Sequence, residues 1–273
     1  MLLPLTPAGP GAWDLPVTLD LCSGLRALWG GCGLGAAVEA AEQATGRACR
    51  WASVQYLRPI HPGQLLHLAV ASRDGRSLSQ VQVTGTVDGV QVLAGMAALG
   101  GAGVLDAQFV RPPDDVPPPQ DCAPRTMPLG VDPTGTFLAR FEQRWAQAPR
   151  PLRTDGVPGT GRTRVWVRMV APTPLGRATL AMLADLAPSA ISESLGERAG
   201  GVSLDNTVRY AREPATDDGW VLLDLTVEAV VADVAQLSGR LFDTAGTLLA
   251  VAEQSAVVRR RAEPRSRPAD RAD

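Results

Sequence analysis

Lysine is absent: all 26 basic residues of this 273-residue chain are arginines. That excludes Schiff-base lysine chemistry and a Walker-type phosphate lysine. Histidine is scarce, with His61 and His67 alone, so a multi-histidine metal site is not expected. The four cysteines (Cys22, Cys32, Cys49 and Cys122) form no CxxC pair and no metal spacing. They read as free thiols of a reducing cytoplasm, with no metal and no cofactor. No GxSxG elbow is present, which leaves a serine-hydrolase reading unsupported. A net charge of −2 argues against nucleic acid as the main partner. No run of apolar residues is long enough to span a membrane. The opening MLLPLTPAGPGAW has no basic segment and is broken by prolines, so it does not read as a secretory signal.

What is present is an ordinary globular composition, 45% apolar and 20% charged. Proline crowds the middle of the chain, in RPPDDVPPPQDCAPRTMP and APRPLRTDGVPGTGRT. Such a stretch cannot continue a helix or a central strand. The expected organisation is therefore a first unit at 1–105, a proline-rich linker at 106–160, a second unit at 161–262 and a disordered tail at 263–273. A short helix is expected around Thr136–Gln147.

The two units resemble each other. SVQYLRP begins at Ser53 and TVRYARE at Thr207, an offset of 207 − 53 = 154 that superposes Tyr56 on Tyr210 and Arg58 on Arg212. The Val87-Asp88-Gly89 turn answers Thr244-Ala245-Gly246 at an offset of 246 − 89 = 157. Each half opens on an Ala- and Leu-rich helical stretch, which makes the pattern a duplicated helix-then-strands unit. Gln64–Val70 and Gln80–Thr86 alternate with period two, as half-buried strands do. Asp88-Gly89 suits a tight hairpin. Leu223, Leu225 and Val227 alternate in the second unit, and Leu237–Leu241 and Leu248–Gln254 form its second hairpin. The first helix runs to a Gly46 stop, and Gly30-Gly31 are expected to break the chain just before it. The second helix is expected to start at Thr173-Pro174, carry Leu175, Ala178, Met182 and Leu186 inward, and stop before Pro188. One long helix with an antiparallel meander, twice over, is an α+β plan.

WGGCGLGAAVEAA, VQYLRP, PGQLLHLAV, RDGRSLSQVQV and a second half with a Trp220-led strand and Gln254 resemble type II acyl-CoA thioesterases. The similarity covers roughly Leu19–Gly100 and Val165–Arg260. It implies a double hotdog, in which each half wraps a sheet around one long helix. It also implies that an Asp, a Ser or Thr and a Gln of the second half hold a hydrolytic water. The Asp falls on Asp205 and the Gln on Gln254. The hydroxyl position, counted along the Trp220-led strand, falls on Glu228, where no hydroxyl stands. Either Glu228 takes over a polar role, Thr226 or Thr207 substitutes, or hydrolysis is impaired or replaced.

The repeat marks the same residues. Position 205 − 154 is Trp51 and position 254 − 157 is Ala97, so the polar groups belong to the second unit alone. That is expected of a single retained site, and also of asymmetric drift. A carboxylate can orient or deprotonate water, and a side-chain amide can hold it. Asp205, Thr207 and Arg209 share one strand face, and a structural Asp205–Arg209 pair is the bland alternative. Gly30 and Gly31, ahead of a helix, suit a developing oxyanion through their N–H groups. Equally, they let the helix pass close to the sheet. Gly31–Ala36 also meets a loose GxGxxA dinucleotide pattern, but no buried strand precedes it and no acidic residue follows at the right distance. Cys32, His61 and His67 read as packed or solvated residues.

Three functions fit. The first is hydrolysis of an acyl thioester, carried by coenzyme A or a carrier protein, in lipid or polyketide metabolism. The second is acyl-group binding without turnover. The third is dehydration or cyclisation of a thioester-derived intermediate in a specialised pathway. Homo-oligomerisation through the sheets stays open.

Overall fold

The computed structural model describes residues 3–101, 103–125, 133–149 and 155–260. The expected tail at 263–273 lies outside these residues, as do parts of the proline-rich middle. One antiparallel sheet dominates the molecule. Its first half comprises β1 (Thr6–Gly9), β2 (Ala12–Pro16), β3 (Ala48–Tyr56), β4 (Leu65–Asp74), β5 (Leu78–Val87) and β6 (Val90–Gly100). Its second half comprises β7 (Phe141–Trp145), β8 (Arg162–Met169), β9 (Ala199–Ser203), β10 (Asp205–Tyr210), β11 (Val221–Val231), β12 (Val234–Phe242) and β13 (Leu248–Arg260). The strand order is β1-β2-β4-β5-β6-β3-β10-β13-β12-β11-β8-β7, with β9 on the far end of β13. That order reads the same from either side of the β3–β10 seam, as a duplication demands. At the seam Ser53 stands opposite Thr207, and their hydroxyls meet at 2.7 Å. The 154-residue offset of the sequence repeat thus marks the local two-fold axis.

The helices α1 (Gly30–Thr45) and α2 (Arg177–Ala184) lie inside the curl of the sheet, followed by the short α3 (Ile191–Leu195). The alternation of β4 and β5 holds: Leu66, Leu68, Val81 and Val83 are buried while Leu65, Gln80 and Gln82 are exposed. Asp88 and Gly89 take positive φ in the expected hairpin. This is the double hotdog expected from the sequence.

Three local readings differ from the structure. Gly30 and Gly31 open α1 instead of preceding it. Packing overrides their low helix propensity, because α1 crosses α2 at backbone contact. A Cβ on Gly31 would lie 2.6 Å from the Met182 Cα, and one on Gly35 would lie 3.1 Å from the Ala178 carbonyl oxygen. Next, α2 begins at Arg177, not at Thr173, because the Thr173 hydroxyl donates back to the Ala171 carbonyl and Gly176 takes the cap position. Finally, the helix expected at Thr136–Gln147 is a single 3-10 turn, Phe137–Arg140, running into β7. Phe141, Gln143 and Trp145 alternate inward there and β7 pairs with β8. The stretch read as linker therefore supplies a strand of the second half. Among the described residues no helix is long and apolar enough to cross a membrane.

Candidate active site

A cavity of about 780 Å³ opens between the two halves, lined by the α1 start, the end of β3, the turn after α2 and strand β9. Asp185 is the C-cap of α2 and lies in the wall of this cavity. It is 4% exposed and accepts four hydrogen bonds, three at Oδ1 and one at Oδ2. The Gly31 N–H donates to its Oδ2 at 2.8 Å, and the Gln254 Nε2 donates to its Oδ1 at 2.6 Å. The Ser203 hydroxyl and the Asn206 amide each reach Oδ1 at 3.3 Å. Gln254 Nε2 also donates to Ser203 Oγ at 2.6 Å. Burial pushes the Asp185 carboxyl up to about 6, against the opposing pull of these hydrogen bonds. A carboxyl in that range ionises near neutrality and can accept a proton there.

Two side-chain oxygens in the same cluster, Gln254 Oε1 and Asn206 Oδ1, are buried with no hydrogen-bond partner among the described residues. Buried polar groups are nearly always paired, so each signals a missing donor. Tyr56 stands across the cavity wall. Its hydroxyl donates to the Gly30 carbonyl oxygen at 2.7 Å, and burial raises its pKa well above the usual phenol value.

Of the residues expected from the sequence, Gln254 and Gly31 meet directly on Asp185, and Gly30 lines the same cavity. Asp205 does not join them. It accepts the Ser255 N–H at 2.9 Å and pins β10 to β13 at the sheet. Arg209, the partner imagined for it, pairs with Glu253 instead. Thr207 sits at the seam with Ser53 on the face opposite Asn206, so it does not line the cavity. Glu228 is also elsewhere: it is the bulged residue of β11, between Val227 and Ala229, exposed and holding the Ser238 hydroxyl. A bulge adds an unpaired residue that turns the side chain away from its counted place.

Asp185, Ser203 and Asn206 escaped the sequence reading, although two signals pointed to them. Asp185 follows Met182 by three and Ala178 by seven, so it lies on the inward stripe of the second helix. Asn206 alternates with Val208 and Tyr210, the apolar side of β10.

The other end of the helix pair shows the pseudo-equivalent site. Tyr210 donates to the Arg177 carbonyl oxygen at 3.0 Å, as Tyr56 does to Gly30. The helix offset is 177 − 30 = 147, which sets Val38 where the first site has Asp185. The Arg177 side chain fills this second position, paired to Glu42 and Glu213, and a recess of about 50 Å³ remains. We therefore expect one ligand per chain by titration calorimetry; two equivalent sites would contradict this.

Comparison with known proteins agrees with this architecture. Residues 19–100 match the acyl-CoA thioesterase N-terminal domain and residues 114–258 match the acyl-CoA thioesterase C-terminal domain. The chain belongs to the acyl-CoA thioesterase family. A solved structure described as a putative thioesterase from Novosphingobium aromaticivorans DSM 12444 is 33% identical, with a TM-score of 0.83, covering 93% of this chain and 97% of that one. An acyl-CoA thioesterase II (TesB2) from Mycobacterium marinum, 21% identical, superposes with a TM-score of 0.75 over 96% of this chain and 98% of its own. The tesB protein of Mycobacterium avium subs paratuberculosis is 19% identical with a TM-score of 0.77, covering 94% and 96%. No curated protein matches in sequence.

Proposed function

We propose that this protein hydrolyses acyl thioesters, with Asp185 as the general base for the attacking water. The observation that carries this reading is the buried Asp185 carboxylate in the cavity wall, beside two amide oxygens that lack donors. A water there would donate to Asp185 and to the Oε1 of Gln254 or the Oδ1 of Asn206. That geometry fixes the lone pair aimed at the thioester carbon. Ser203 and the Gln254 amide group hold the carboxylate in place. The Gly31 N–H is committed to Asp185, so the oxyanion donor is the neighbouring N–H of Gly30 at the helix start. The acyl group lies against Leu28, Leu93, Leu186 and Pro188, which line the cavity.

In this account Asp185 replaces Asp205 as the carboxylate, Gln254 keeps its place, and no residue of β11 contributes. The missing hydroxyl at Glu228 then leaves hydrolysis intact. Coenzyme A and carrier-protein thioesters both present the same carbonyl, and a cytoplasmic site of action suits both.

Free-thiol release from short, medium and long acyl-CoA substrates tests the activity, with acyl-carrier thioesters beside them. The base must be ionised, so kcat/KM should climb with pH and level off above an apparent pKa near 6. Below that value we expect about a tenfold loss per pH unit. A flat profile between pH 5 and 8 would contradict the assignment of Asp185. Acyl-group binding without thiol release on any substrate would instead favour a non-hydrolytic binder.

A further inference from the structure

The Tyr56 hydroxyl and Asp185 touch opposite ends of one peptide group. Tyr56 Oη donates to the Gly30 carbonyl oxygen at 2.7 Å, and the Gly31 N–H of the same peptide donates to Asp185 Oδ2 at 2.8 Å. The peptide is planar and conjugated, so a hydrogen bond at its oxygen strengthens the donor at its nitrogen. There is no slack at this junction. A Cβ on Gly30 would lie 3.0 Å from Tyr56 Oη and 2.9 Å from Asp185 Oδ2. A side chain at position 30 would push the hydroxyl and the carboxylate away from the peptide.

We propose that Tyr56 is a positioning residue that tunes the acidity of Asp185 through the Gly30–Gly31 peptide. The inference rests on the reading of Asp185 as the base. Its structural part, a tyrosine coupled to a carboxylate through a peptide, stands without that reading. The duplication offers an internal control. Tyr210 makes the same contact with Arg177, but Val38 stands where Asp185 would be, so that coupling has no carboxylate to act on.

Among the described residues, the titratable groups that act on Asp185 and Tyr56 are Cys32 from α1, and Asp205 from β10 beside the tyrosine. Gln254, Ser203 and Asn206 complete the shell as neutral groups, and Asn206 also hydrogen-bonds Tyr56. Tyr56→Phe is therefore read in the Asn206→Ala background as well, where only the peptide route remains. Arg58, Arg198 and Arg259 line the same cavity, but among the described residues the partners that lower the Asp185 pKa are the hydrogen bonds from Gly31, Gln254, Ser203 and Asn206.

The test is the Asp185 carboxyl pKa, read by carbon-13 NMR on aspartate-labelled protein, with the resonance assigned by its loss in Asp185→Asn. Tyr56→Phe should raise that pKa by about half a pH unit, because the Gly31 donor weakens. Tyr210→Phe should leave it unchanged. These two residues are the only tyrosines in the chain. Growth on 3-fluorotyrosine in a Tyr210→Phe background therefore labels Tyr56 alone. The more acidic phenol donates more strongly and should lower the Asp185 pKa, which keeps the inference testable if Tyr56→Phe fails to fold. The rising limb of kcat/KM should move in parallel. An Asp185 pKa that ignores both substitutions overturns the coupling. Coupling seen by NMR with an unmoved pH–rate profile would instead overturn Asp185 as the base.

Discussion

Asp185→Asn should lower kcat for acyl thioester hydrolysis by about 10³-fold, within the range removed with a general base. Substrate binding should change little, because Asp185 sits at the reacting end of the cavity and the acyl contacts are made by other residues. Asp205→Asn and Glu228→Gln, in contrast, should stay within about threefold of wild type. The first lies on the Ser255 N–H and the second is an exposed bulge residue. Thiol release from the three variants, measured side by side, separates Asp185 from the carboxylates suggested by sequence position. The Asp185 substitution should not destabilise the protein at pH 8. Its folded-state pKa is raised from 3.8 to about 6. The stability linked to this group is fully present below pH 3.8 and is lost as pH rises through about 6. The loss at pH 8 amounts to about 3 kcal/mol. Asn escapes it, though its amide presents a worse partner to the Gly31 N–H. A variant inactive and equally folded at pH 8 is the expected result; one inactive because it is unfolded would remove the argument.

Gly31→Ala should destabilise the protein strongly. The added Cβ would meet the Met182 Cα at 2.6 Å and the Ala181 and Met182 carbonyl oxygens at 2.9 Å. These are backbone atoms of α2, which cannot rotate away, so the helices must separate and Asp185 must leave the Gly31 N–H. Overpacking of this kind costs roughly 1–3 kcal/mol, occasionally more. Alanine returns about 1 kcal/mol of helix propensity, so at the upper end of that range the net loss is about 2 kcal/mol, the value expected for contacts with backbone atoms. Gly33→Ala is the matched comparison. Its Cβ would meet the tip of Leu93 at 3.3 Å and Tyr56 Cε1 at 3.5 Å, contacts that can relax. Denaturant midpoints should fall clearly for the first and stay within about 0.5 kcal/mol for the second. A Gly31→Ala protein as stable as wild type would show that the helices can part freely.

The fold was legible because the duplication wrote it twice. The 154-residue offset located the seam, and period-two runs such as Leu66–Val70 located the strands. The proposed site was half legible. Gln254 could be found because the repeat offers Ala97 in its place. Asp205 drew attention before the proposed base Asp185 because β10 alternates, and its polar face of Asp205, Thr207 and Arg209 is more conspicuous than one Asn on the apolar face. Counting residues along a strand cannot see the bulge that turns Glu228 outward, away from the Asp185 cluster. Asp185 was visible as an acid on an inward helix stripe. Its meaning depended on how closely α1 crosses α2, which the glycines Gly31 and Gly35 decide in three dimensions. Polar clusters of this kind are assembled from distant segments, here α1, α2, β9, β10 and β13, and local patterns carry no register between them.

Single-turnover hydrolysis in ¹⁸O-enriched water tests most directly whether Asp185 activates water instead of attacking the thioester itself. With enzyme in excess over substrate, the label should appear in the released acid and be absent from the Asp185 carboxylate in peptide mass spectra. Label found in Asp185, with unlabelled acid released, would mean a mixed anhydride on that residue and would contradict a general base.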